Sequence, residues 1–161
     1  MDPLAAEISI LAEPPHSIAS AKVDDKGRLK LPSESLEWCK KSNVLSVFVT
    51  TLDKESVRIY PIPVWKSTIN VLEAAGEHAG LGAKMALIAK VFGGDAEIDQ
   101  QGRILLPSAL RTLLGLESQP VFLEHVKGRI ELTTKAVFDK KLASAESDLG
   151  SAVETFQKLG L

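Results

Sequence analysis

The chain has 161 residues, 45% hydrophobic and 25% charged, which places it among globular proteins and makes it long enough for one sizeable core. A net charge of −2 argues against nucleic-acid binding on bulk electrostatics, so any such function must rest on where the cations lie. The lone Cys39 excludes an internal disulfide and a cysteine-rich metal site, and is expected to be a buried, inert thiol in a reducing compartment.

Met1-Asp2-Pro3-Leu4 lacks the basic region of a signal peptide, and no apolar run approaches the ~20 residues of a membrane span, which predicts an intracellular protein. Residues 1–16, with Pro3, Pro14 and Pro15 and little periodicity, are expected to form a loosely packed arm. From Ser17 the chain reads as strand, turn, strand: Ile18 to Val23, a tight reversal at Gly27, then Arg28 to Leu31. Pro32 opens a helix from Ser33 to about Lys41, with Ser33 as N-cap, Leu36 facing inward and Lys40 and Lys41 at the C-terminal end, where the dipole favours cations. Val44 to Thr50 and Val57 to Tyr60 are β-branched and aromatic runs flanking a polar turn, hence a hairpin that Pro61 and Pro63 stop. Trp65 to Ala75 and Gly82 to Val91 have helical composition, broken by Gly76, Gly80 and Gly82, and their apolar residues, including Val64, Trp65, Met85 and Leu87, are expected in the core.

The order then repeats. Phe92 to Ile98 reads as strand, Gly102 as turn, Ile104 to Leu106 as strand, Ser108 to Leu114 as helix with Gly115 as its stop. Pro120 to Glu124 and Arg129 to Leu132 form a second hairpin around Lys127-Gly128, and Thr133-Thr134 cap a helix from Lys135 to about Ser147. Residues 148–161 are expected to be a frayed helix or tail. An offset of 75 residues relates Asp24 to Asp99, Arg28 to Arg103 and Pro32 to Pro107, so the chain is two copies of one unit. Neither copy has enough strands to complete its own sheet, and intertwining would bury Val23, Leu29 and Leu31 against Ile98, Ile104 and Leu106 in a shared core.

Asp24-Asp25-Lys26-Gly27-Arg28 and Asp99-Gln100-Gln101-Gly102-Arg103, each followed by a Pro-started helix, resemble the paired Asp-x-x-x-Arg motifs of the MraZ family, bacterial transcriptional regulators of the AbrB-like swapped-hairpin class. Ile59 to Trp65 and Val91 to Glu97 are similar to the segments that end the family's first copy and open its second. The resemblance covers about residues 17–147. It implies an α+β fold in which two tandem swapped-hairpin repeats, 17–76 and 92–147, joined by a helical linker 77–91, intertwine into one pseudo-two-fold, β-barrel-like domain, with the arm 1–16 and the tail 148–161 outside it. It further implies a cytoplasmic, nucleoid-associated regulator rather than an enzyme. Such a regulator would bind double-stranded DNA carrying tandem direct repeats upstream of the division and cell-wall gene cluster, as a ring-shaped homo-oligomer, with no cofactor, metal or membrane. The first copy departs from the family in having Ser17 and Ala19 where Phe92 and Gly94 stand in the second, and Gln101 replaces Lys26, which weakens a charge contact there.

The residues expected to meet DNA are Arg28 and Arg103 first, with Lys22, Lys26, Lys30 and Gln101 around them, while Asp24 and Asp99 orient the two guanidinium groups. Read without the resemblance, Asp24 with Arg28 and Asp99 with Arg103 are ion pairs that hold a turn, and the lysines are an ordinary solvated edge. Two other classes compete: a structural assembly protein of the same fold, and a carboxylate enzyme in which Asp24 and Asp25 meet Asp99 across the pseudo-axis as acid and base. His16, His78 and His125 are scattered without ligand spacing, and Gly80-Leu81-Gly82-Ala83-Lys84 lacks the rest of a phosphate loop, so neither supports a metal site or a nucleotide enzyme.

Overall fold

The computed structural model describes residues 2–161. In chain order the elements are α1 (Pro3–Ser9), β1 (Ala19–Lys22), β2 (Arg28–Lys30), α2 (Ser33–Lys41), β3 (Ser46–Thr50), β4 (Val57–Pro61), α3 (Ile62–Glu73), α4 (Ala79–Phe92), β5 (Gly94–Glu97), β6 (Arg103–Leu105), α5 (Ser108–Leu114), β7 (Pro120–Val126), β8 (Arg129–Thr134), α6 (Lys135–Glu146) and α7 (Leu149–Lys158), with a 3₁₀ turn at Gly76–His78. This is a mixed α+β fold. Two hairpins, β3–β4 and β7–β8, join through β4 and β8 into the middle of a six-stranded sheet ordered β1-β7-β8-β4-β3-β5.

The two copies exchange strands. β1 of the first copy pairs antiparallel with β7 of the second, Ala19 opposite Leu123, and β5 of the second pairs with β3 of the first, Val47 opposite Ala96. β2 and β6 pair with each other as a separate two-stranded ribbon, Leu29 opposite Ile104. The expected strand-turn-strand units are therefore hairpins only at their tips, where a single bridge links Val23 and Leu29. The barrel-like closure also needs correction: β1 and β5, the two ends of the sheet, do not pair with each other, and the ribbon lies between them in contact with both.

Beneath the ribbon lies the shared core, with Val23, Leu29, Leu31, Ile104 and Leu106 all but sealed from solvent and Ile98 packed against them. Strand alternation explains it: on β2 and β6 the middle residues Leu29 and Ile104 point inward, which leaves Arg28, Lys30, Arg103 and Leu105 on the outer face. Cys39 is buried, and burial pushes its thiol up to about 11, the inert state expected of it.

Local chemistry moved several boundaries. Ser33 is the first helical residue of α2 rather than its N-cap; Pro32 takes that place and offers no side-chain hydrogen bond. Phe92 ends α4, so the strand that was expected to begin there starts at Gly94. Gly80 and Gly82 lie inside α4, because Gly82 is where its backbone meets the carbonyl of Leu72 on α3 too closely for any Cβ. Met85 and Leu87 are on the outer face of α4, Leu87 62% exposed, while Ala86 and Ala89 take the core positions. The arm is not loose. Asp2 caps α1 by accepting from Ala5 N, Trp38 Nε1 donates to Ala12 O at 3.0 Å, and Ala12 N donates to Ser42 Oγ at 2.9 Å. Leu4, Ile8 and Leu11 have the spacing of one helix face, a signal that the prolines around them obscured. The tail is helical as well, but α7 stays exposed along its whole length.

Candidate nucleic-acid interface

Each end of the ribbon carries one copy of the repeated turn. In the first, Asp24 Oδ1 accepts from the backbone N–H of Lys26 at 2.9 Å and of Arg28 at 2.8 Å, while Oδ2 accepts from Arg28 Nε at 2.8 Å. In the second, Asp99 Oδ1 accepts from Gln101 N and Arg103 N, both at 2.9 Å, and Oδ2 from Arg103 Nε at 3.0 Å. Gly27 (φ 81°) and Gly102 (φ 74°) sit in the left-handed region, which is how five residues reverse the chain within one carboxylate's reach.

The Asp residues are thus both structural and directional. Nε of each guanidinium is held by the carboxylate, and no protein hydrogen bond takes the two terminal Nη groups among the described residues. That fork matches a planar two-acceptor target, as a guanine edge or a phosphate presents. The N–H bond from the Arg28 backbone, then the bond from its side chain, holds the Asp24 carboxyl below the ordinary 3.8, and Arg103 does the same for Asp99. Both groups therefore stay ionised until the pH falls below the usual carboxylate range, where their contribution to the turns is lost.

Around these pairs the expected cations divide into two groups. Lys26 stands exposed at the tip of the first turn and Lys22 at the exposed end of β1. Lys30 belongs to the second turn, where its Nζ donates to Gln101 O, so the four cations foreseen around the first turn are split between the two ends of the ribbon. Leu106 N donates to Gly27 O and Leu31 N to Gly102 O, so the turns lie ~13 Å apart along the strands. Asp24 and Asp99 consequently do not meet as an acid and base pair, and both carboxyls are pushed down rather than apart. The geometry removes the support for a carboxylate enzyme.

One close pair escaped the sequence reading, because its members are 90 residues apart. His125 Nε2 and Ser35 Oγ are 2.9 Å apart, with Trp38 edge-on to the imidazole at 4.9 Å between ring centres. Nδ1 of His125 is buried and has no partner among the described residues, so nothing orients the ring as a catalytic base and the pair reads as a clamp between α2 and β7. Burial pushes His125 down to about 4 from 6.5. The unfolded chain takes up that proton near pH 6.5 and the folded chain only near pH 4, so the clamp's full stability is present above 6.5 and declines as pH falls to 4. Screened by the water that reaches the ring, the loss should be about 2 kcal/mol. Urea unfolding at pH 7 and pH 4.5 should show it, and His125→Gln should flatten the difference; an equal decline in the variant would assign it to other groups.

No model of a protein family matches the chain. Individual proteins do. A protein of Desulfitobacterium hafniense named transcriptional regulator MraZ is 30% identical over 142 residues, which is 86% of this chain and 94% of that protein. One of the same name from Koribacter versatilis is 28% identical over 141 residues, 80% of this chain and 94% of the other. A third, from Leuconostoc citreum, is 36% identical over 101 residues, 60% of this chain and 65% of its own length. The repeated turns, the exchanged strands and this similarity along most of both chains agree, and the chain belongs to the MraZ family, a family of transcriptional regulators rather than of enzymes.

Proposed function

We propose that this chain regulates transcription by binding double-stranded DNA with the outer face of the β2–β6 ribbon. The observation that carries the reading is the pair of guanidinium forks, Arg28 and Arg103, each held at Nε and turned outward at opposite ends of an exposed two-stranded ribbon. Such a ribbon fits the major groove, where an Arg fork pairs with guanine. Lys22, Lys26 and Lys30 supply phosphate contacts, Gln101 replaces one of them, and Asp24 and Asp99 position the arginines.

The strand exchange supports the swapped-hairpin, AbrB-like reading of residues 17–147, with repeats 17–76 and 92–147 and the helical linker between them. Assembly into a ring-shaped homo-oligomer is favoured by two unpaired sheet edges, β1 and β5, and by the outward apolar residues Leu81, Leu87 and Val91 of α4, each more than half exposed. A ring would address tandem direct repeats, which the family resemblance would place upstream of division and cell-wall genes, in the nucleoid and the cytoplasm. No helix of the described residues is long and apolar enough to cross a membrane.

The test is capture of sheared genomic DNA by the purified chain, followed by sequencing. Enrichment of one locus bearing spaced direct repeats is the expected result. Uniform recovery of the genome, or none, would overturn the specific-regulator reading.

A further inference from the structure

The two turns are copies in sequence and yet they are secured by different hands. Lys26 O and Gln101 O are equivalent carbonyls at the two tips, and each accepts from a cation, but the cations come from non-equivalent places. At the first turn Arg111 of α5 reaches across from the other copy, with Nη1 3.3 Å from Lys26 O and 2.9 Å from Glu117 Oε1. At the second turn the residue equivalent to Arg111 is Leu36, whose methyl groups lie under Gly102, and the carbonyl is capped instead by the exposed Lys30. The counterpart of Lys30 is Leu105, which leaves the first tip without a ribbon lysine of its own.

We infer that Arg111 is a positioning residue that locks the first turn for DNA, so that each protomer reads DNA unequally, strongly through Arg28 and weakly through Arg103. The inference rests on the reading that the turns bind DNA. Arg111 is held at 19% side-chain exposure and anchored by Glu117, and it fills the space that a Cβ on Gly27 would need. The first tip therefore meets its target with little freedom left to lose, and a planar guanidinium fixes a carbonyl with less residual motion than a solvated lysine does. The backbone of Lys26 is thus held by a cation anchored in α5, and that of Gln101 by the exposed Lys30. Stability alone does not explain the arrangement, because Arg111 Nε is buried without a partner, a cost that the leucine at the equivalent place in the other copy avoids.

The experiment is a double-mutant cycle on the full chain, measured by fluorescence anisotropy with two probes, the captured genomic duplex and a mixed-sequence duplex of equal length. Arg111→Leu installs the residue of the other turn, and Arg28→Ala and Arg103→Ala are made on it and on the parent. The expected result is a loss of roughly ten-fold for Arg111→Leu on the genomic duplex, a much smaller effect of Arg28→Ala in that background, and an undiminished effect of Arg103→Ala. A long-range charge effect predicts otherwise: Arg111→Leu would weaken both turns alike and its losses would add to that of Arg28→Ala, which would overturn the inference. Should Arg111→Leu fail to fold, Glu117→Gln frees the anchor without removing the cation, and the same loss of Arg28 dependence decides the question. If the parent chain binds neither duplex, the DNA reading falls and this inference with it; if the parent binds and the cycle is additive, only the inference falls.

Discussion

Arg28→Ala is expected to weaken binding to the captured duplex by about 1–3 kcal/mol and to relax base preference at one position of the site. The expectation follows from how the side chain is held. With Nε bonded to Asp24 Oδ2 and the backbone N–H groups of Lys26 and Arg28 on Oδ1, the fork has one orientation, and its ordering cost is met in folding rather than in binding. Arg103→Ala should give the smaller loss, since its turn is secured by the exposed Lys30 and the first turn by the anchored Arg111. Asp24→Ala should reduce both binding and melting temperature, because it removes three hydrogen bonds from one turn as well as the orientation of Arg28. A contact to phosphate alone would appear differently: all sequences weaken alike, and the salt slope flattens by about one unit for each arginine lost. If both arginine variants stay folded and bind as the parent does, the ribbon is not the interface. A variant of Asp24 with normal melting and no binding would make the carboxylate a direct reader.

Much of this arrangement was legible because the repeat carries its own punctuation. Gly27 and Gly102 marked the turns, Pro32 and Pro107 the helix starts, and the alternation around Leu29 and Ile104 the buried side of the ribbon. α5 stops at Gly115 as its sequence announced, and that glycine takes the left-handed conformation. What the sequence concealed were contacts between the copies, for which local periodicity has no signal. Strand β1 alternates as an ordinary hairpin partner would, yet its hydrogen bonds go to β7, a hundred residues on. Lys30 reads as a neighbour of Lys26, but in the ribbon it stands opposite Arg103, at the end where the other turn lies. Arg111 lies in the last turn of α5, where local pattern gives no sign of a role; only its place beside Lys26 O gives it one at the first turn. The α1 arm was hidden by its prolines, and the outer face of α4 looked like core because apolar composition does not say which partner covers it.

DNA carrying two or three tandem direct repeats, spaced near one helical turn of ~10 bp, is expected to bind far more tightly than DNA with one repeat. The reason lies in the charge balance. The chain has a net charge of −2, the exposed Asp25 opposes Lys26 at the first tip, and the second tip carries Gln101 where a lysine would add a phosphate contact. Non-specific affinity comes mainly from phosphate neutralisation, so a single protomer should bind weakly. Linking protomers changes this without any new contact, because each further turn meets its site at high effective concentration, and avidity then rises by roughly 10²–10⁴. Head-to-tail neighbours in a ring all point the same way and so match direct repeats, whereas an isologous dimer would demand a palindrome. Binding titrations on one, two and three repeats, with the mass of the free protein measured in the same buffer, test this. Leu87→Glu on the exposed face of α4 should leave melting unchanged while abolishing the gain from added repeats, if that face joins the protomers. Equal affinity for all three duplexes, or a monomer at working concentration, would sink the ring mechanism while leaving the ribbon as a DNA-binding surface intact.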